Sequence, residues 1–222
     1  MRASALSWIR YAAGLGLRAI APVLAVVVGA GCGPRAHTTS VSSVAAGMPA
    51  RSVPFDYVGQ SWMRVPARIG DGPETKMMID TGMGVTLLTP EACARAGCVR
   101  EGKWSGQRMS GQSVELTIAR VSSLTVAGHR VENARVAIFE ADEIIHRDLG
   151  VDGIAGLDVF RDQPVTFDHH AMRVILEGAD SLASREASGT KVTVRVKHEG
   201  PSTEVYLPLE IGPGAVAKME VD

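Results

Sequence analysis

Short apolar-polar alternations, broken by glycine-rich turns, dominate the chain from about residue 52 onward. Residues 62–69 (WMRVPARI) and 76–79 (KMMI) read as two strands around the turn Gly70-Asp71-Gly72-Pro73. An apolar run resumes at 85–88, and Thr89-Pro90-Glu91 then has the form of a helix start, with Thr89 as cap and Pro90 at the first helical position. This helix is short and ends near Gly97. A polar, glycine-rich stretch at 102–112 (GKWSGQRMSGQ) lies between weakly strand-like flanks. Residues 113–118, 120–126 and 135–139 alternate with period two, with Ala127-Gly128-His129 as a turn. A charged connection at 140–150 leads to Gly153-Ile154-Ala155-Gly156 and a brief segment at 157–161. Residues 164–168 and 172–176 form a hairpin about His169-His170-Ala171. Strands outnumber helices, so the expected class is all-β: a closed or sandwich-like barrel with one or two short helices.

The N-terminus follows a different pattern. Arg2, Arg10 and Arg18 precede an apolar run at 19–28, and small residues lead to Cys32. A basic region, a short apolar region and a small-residue zone make an export signal; the apolar run is shorter than the roughly 20 residues a spanning helix needs. Val28-Gly29-Ala30-Gly31-Cys32 resembles the lipobox of bacterial lipoproteins, with Gly29 where Leu is usual. That resemblance implies acylation at Cys32 and, with Gly33 following, an outer-membrane lipoprotein facing the periplasm or another envelope-anchored form. Residues 33–51 read as a flexible tether. The expected organisation is signal 1–32, tether 33–51, lobe 52–178, linker 179–189 and a further segment 190–222.

Composition narrows the partners. With 23 basic and 24 acidic residues, nothing steers the chain toward nucleic acid. Cys93 and Cys98 are spaced to close a helix end as a disulfide or to stay as two thiols. Without companion histidines they make a poor metal site, and no metal or cofactor is expected. His169-His170 lacks a third ligand at usable spacing.

The chemistry centres on Ile79-Asp80-Thr81-Gly82. A carboxylate at a strand end is left projecting when Gly82 turns the loop sharply, and the Thr81 hydroxyl is suited to hold that loop. Alone, the tripeptide is an ordinary turn in many chains. Its context is more specific, because apolar strands flank it and Ile154-Ala155-Gly156 follows about 70 residues later. Then come Leu157-Asp158-Val159-Phe160, Val165-Thr166-Phe167-Asp168 and Arg173-Val174-Ile175-Leu176. Together these resemble the retropepsin-like family of aspartic peptidases over about residues 53–177.

The resemblance implies an aspartic endopeptidase acting on peptide or protein substrates. Asp80 would be the catalytic carboxylate, with Thr81 fixing the loop and Gly82 meeting substrate backbone. Ile154, Ala155 and Gly156 would pack behind the loop. Residues 102–112 would be the flap, where Trp104 and Met109 either touch substrate or pin the hairpin. Met83-Gly84 departs from the family, which usually has a small residue and then Ser, Thr or Asp after the glycine; a polar support of the loop is missing.

The mechanism needs two carboxylates sharing one proton. Single-lobe relatives dimerise so that one aspartate meets its copy. This chain contains an internal repeat. Pro66, Ile69, Gly70 and Gly72 recur as Pro208, Ile211, Gly212 and Gly214, Lys76-Met77 as Lys218-Met219, and Ile79-Asp80 as Val221-Asp222, all at one offset. Residues 190–222 thus read as the first strands of a second similar lobe, cut short, with Asp222 as the counterpart of Asp80. The expected dyad is Asp80 with Asp222 in cis, or Asp80 with its copy in a homodimer, and the 222-residue chain alone is at risk of inactivity. The competing class is a non-catalytic peptide-binding or scaffold lipoprotein of the same fold, which Met83-Gly84 and the truncated second lobe favour, whereas the intact Asp80-Thr81-Gly82 and the repeat favour the enzyme.

Overall fold

The computed structural model describes residues 25–26, 49–59, 61–107, 111–139 and 149–221. The expected signal and tether, apart from Ala25–Val26 and residues 49–51, lie outside these residues, as do Cys32, Met109 and Asp222.

Fifteen strands run in the order β1 (Ala25–Val26), β2 (Arg51–Pro54), β3 (Asp56–Val58), β4 (Trp62–Ile69), β5 (Glu74–Ile79) and β6 (Leu87–Leu88). After helix α1 (Pro90–Arg95) come β7 (Val99–Gln107), β8 (Ser113–Val126), β9 (His129–Ile138), β10 (Gly153–Ala155), β11 (Val165–Asp168) and β12 (Arg173–Leu176). Helix α2 (Ala179–Ser188) then leads to β13 (Arg195–Glu199), β14 (Ser202–Gly212) and β15 (Ala215–Glu220). Among the described residues no helix is long and apolar enough to cross a membrane.

The period-two pattern produces the expected β-barrel. Strands β4, β5, β10, β6, β9 and β8 pair in that order, and β8 returns to β4, closing the ring. β3 and β7 extend it outside β4 and β8. Closure removes the exposed edges that an open sheet would present. Alternate residues of β4 (Met63, Val65, Ala67, Ile69) face the core with Met77 and Ile79 of β5, Val121 and Val126 of β8, and Phe160. A smaller sheet, β1-β11-β12-β2, covers one end.

Local chemistry sets the boundaries. Gly70 takes φ +57° in the β4–β5 turn, a conformation that costs glycine no steric clash. Helix α1 starts where the sequence implies, with Thr89 Oγ1 accepting from Ala92 N–H at 3.2 Å. Cys93 and Cys98 form a disulfide with Cα atoms 5.2 Å apart, closing the end of this helix.

Several expectations need correction. The stretches 113–118 and 120–126 are one strand, β8, because Ile118 and Ala119 are both buried and the chain continues across the break in alternation. The polar flank of the expected flap is a long strand, β7, paired along β8. Residues 179–189, expected as a linker, contain the ten-residue helix α2. Gly178 N–H bonds Ser181 Oγ at 3.0 Å at its start, Leu182 is buried, and Arg185 pairs with the buried Glu177. The segment is therefore fastened to the lobe.

Candidate active site

Asp80 stands immediately after β5, beside the end of β10. β10 wedges between β5 and β6, parallel to the first and antiparallel to the second. Its register places Ala155 opposite Ile79, and the Ala155 carbonyl accepts the Asp80 N–H at 3.0 Å. Ile154-Ala155-Gly156 thus packs behind the Asp-Thr-Gly loop. A Cβ at Gly156 would sit 2.3 Å from the Met83 carbonyl oxygen, so the close approach of the two segments requires glycine there.

The loop is held largely by main-chain groups. Gly82 N–H bonds Asp80 Oδ1 at 2.9 Å, and Met83 N–H bonds the Asp80 carbonyl at 3.2 Å. Leu157 N–H bonds the Met83 carbonyl at 3.3 Å. Asp80, Thr81 and Gly82 are all half-buried, so the loop lies at the edge of the core and not within it. The Thr81 hydroxyl makes no hydrogen bond among the described residues.

Two residues without an assigned role in the sequence organise this region. Thr86 Oγ1 donates to Asp158 Oδ1 at 2.7 Å and accepts from Gly156 N–H at 3.1 Å; Thr86 N–H bonds Asp158 Oδ2 at 3.1 Å. A single side-chain pair therefore ties the strand leaving the Asp80 loop to the segment behind it. Burial pushes the Asp158 carboxyl up to about 6, against the opposing pull of the Thr86 bonds. The signal for this pair was a lone carboxylate inside the apolar run 153–160, a position that demands a partner.

Trp104 lies on β7, half-buried. Its ring is close enough that a Cβ at Gly106 would come within 2.6 Å of it and one at Gly200 within 3.0 Å of its indole nitrogen. It lines a cleft of about 160 Å³ together with Ile118, Gly200 and Pro201. Trp104 thus bridges β7 and the β13–β14 turn. Among the described residues no cluster of His, Cys, Asp or Glu is arranged to hold a metal ion. His169 instead occupies a hairpin end, its Nδ1 2.8 Å from Tyr57 Oη and its ring stacked on that tyrosine.

The C-terminal strands form their own sheet, in the order β13-β14-β15. β14 and β15 pair as Tyr206 with Glu220, Leu207 with Met219, Pro208 with Lys218, Leu209 with Ala217 and Glu210 with Val216. The first hairpin pairs Arg64 with Met78, Val65 with Met77, Pro66 with Lys76, Ala67 with Thr75 and Arg68 with Glu74. Each pair in one hairpin is the other displaced by 142 positions, the offset of the sequence repeat. A further bond, Val221 N–H to the Val205 carbonyl at 2.9 Å, stands where Ile79 meets Met63.

Residues 65–159 match the pattern of a family described as aspartyl protease. A retropepsin-like aspartic protease from Rickettsia conorii is similar at 12% identity, covering 57% of this chain and 89% of that one, with a TM-score of 0.39. The retroviral protease-like domain of Ddi1 from Leishmania major is similar at 16% identity, covering 54% and 96% respectively, with a TM-score of 0.33. No curated protein matches the chain. The family pattern thus runs from β4 through the turn behind the Asp80 loop, and over this stretch the chain is similar to the aspartyl proteases.

Proposed function

We propose that this protein is an aspartic endopeptidase whose dyad is Asp80 and Asp222. The observation that carries the reading is the repeated register of β4–β5 and β14–β15, since Asp80 follows the last residue of one hairpin and Asp222 follows the equivalent residue of the other. One carboxylate, ionised, takes a proton from a water whose oxygen attacks the peptide carbonyl. The other, protonated, hydrogen-bonds that carbonyl oxygen; the amide nitrogen is protonated as the C–N bond breaks. The two titrations belong to the pair. Pairing of Asp80 with its copy in a second chain is the alternative source of the dyad, and it needs the catalytic-loop face to be open. Gly84, four residues from Asp80, is covered by the chain's own C-terminal sheet, which favours the dyad in cis.

The non-catalytic alternative draws on Met83-Gly84 and on the second lobe being cut short; for the first of these, the docking of the C-terminal sheet on Gly84 offers a packing reason. Export and lipid anchoring at Cys32 remain part of the proposal on the sequence pattern alone. Peptide cleavage over a range of pH, comparing wild type with Asp80→Asn, tests the reading. Wild type should cleave extended peptides and the variant should lose on the order of 10²-fold or more in kcat. Equal cleavage by the two would overturn it.

A further inference from the structure

Gly84 is the point at which the first lobe meets the C-terminal sheet. Thr203 N–H donates to the Gly84 carbonyl at 2.7 Å. A Cβ at Gly84 would lie 2.1 Å from Ser202 Oγ, 3.3 Å from Ser202 Cβ and 3.4 Å from Glu204 Cγ. A side chain there would force the Ser202 hydroxyl to move. Both Ser202 and Thr203 are buried. Below them Leu157, which bonds the Met83 carbonyl, packs with Val205 and Val221 of the C-terminal sheet in a separate apolar cluster.

The Thr203 side chain is fixed as well. Its hydroxyl accepts from Arg161 at 2.9 Å and lies 3.1 Å from His198 Nδ1. Arg161 follows the 3-10 turn Leu157–Phe160 that carries Asp158, so the same short segment anchors the catalytic loop from behind and the sheet from in front.

Among the described residues, four bonds between main-chain groups hold the run from Asp80 to Gly84. Those to Ala155, to Asp80 itself and to Leu157 span 3.0–3.3 Å and come from within the lobe. The fourth, from Thr203, is the shortest and comes from the C-terminal sheet. The loop thus has a support at Gly84 that comes from outside the barrel.

We propose that Thr203 is a positioning residue for the Asp80 loop, its main-chain N–H holding Gly84 and, through the Met83 and Asp80 main chain, the Asp80 carboxylate, while Ser202 packs against Gly84. The C-terminal sheet is then part of the active site and not an appendage, and Gly84 is the residue that lets it dock. This inference rests on the Asp80 reading for its catalytic consequence, and its structural part stands separately.

The test is made on the full chain, with amide hydrogen exchange at Met83 and Thr203 read alongside peptide cleavage. In Gly84→Ala the new methyl collides with Ser202, and exchange at Thr203 should speed by on the order of tenfold, the equivalent of one hydrogen bond. The same variant should lower kcat while leaving KM unchanged, since Asp80 moves and the cleft does not. Adding Ser202→Gly removes the collision and should restore both readouts toward wild type, which a general loss of stability would not do. Ser202→Leu, placed on the sheet so that the lobe's own sequence is untouched, should reproduce the Gly84→Ala effects. Unchanged exchange in both single variants, or a double variant no better than Gly84→Ala, would overturn the proposal. If wild type cleaves no peptide, the endopeptidase reading fails, and exchange at Met83 and Thr203 still decides whether the latch exists.

Discussion

The β4–β5 and β14–β15 hairpins share spacing and pairing register but differ in what covers them. In the first, Val65 and Met77 are fully buried and Ile69 is 5% exposed. Their counterparts in the second are half-buried Leu207, Met219 at 49% exposure and Ile211 at 67%. Leu209, where the first hairpin has buried Ala67, is 43% exposed. Register is written locally, in the alternation and the glycine turn, and it survives without a core. Burial is set by the strands that arrive from elsewhere, β8 and β10 in the first lobe. The second hairpin is sealed only at its Val205 end, where it meets the catalytic loop through Leu157. The face left open is the one that in the first lobe carries the barrel core.

This contrast can be broken by equal substitutions at equivalent positions. Met77→Ala removes a fully buried side chain and should cost about 2–5 kcal/mol, whereas Met219→Ala should stay within about 0.5 kcal/mol. Chemical denaturation of each variant checks the pair; equal costs would mean that the second hairpin is covered after all.

A second, smaller asymmetry comes from Asp158, which serves only the first lobe. Its folded-state pKa is raised from 3.8 to about 6, so the proton is bound more tightly in the native state. Its contribution is therefore fully present below about pH 4 and is lost as pH rises through about 6, a change on the order of 3 kcal/mol from this one group. Stability of wild type minus that of Asp158→Asn, measured from pH 3.5 to 7.5, should fall across that window. A difference independent of pH would mean that the carboxylate is not buried as described.

The smallest effect expected is at the helix cap. Thr89→Ala deletes the hydroxyl that accepts from Ala92 N–H and should cost about 1 kcal/mol, with the loss confined to exchange in the lobe and absent from β13–β15.

Much of this architecture was legible in the sequence because its determinants are local. The β4 and β5 alternation, the Gly70 turn and the Thr89-Pro90 helix start each depend on residues a few positions apart. What escaped was long-range. Helix α2 has one buried apolar residue, Leu182, and depends on Arg185 reaching Glu177, so no periodicity announced it. The Thr86–Asp158 pair spans 72 positions, and its meaning appears only once β10 is wedged beside β5. Gly84 read as a missing polar support because the group that replaces it, Thr203, lies on a strand 119 residues later whose docking no local pattern encodes. In each case the residue was visible and its partner was not.

The most direct test of the account is the kcat of Asp222→Asn, measured beside Asp80→Asn on the same peptide. If the two hairpins present the two halves of one dyad, each variant should lose cleavage by on the order of 10²-fold or more, and the double variant should be little worse than either. Cleavage by Asp222→Asn at the wild-type rate, with Asp80→Asn inactive, would contradict the dyad in cis.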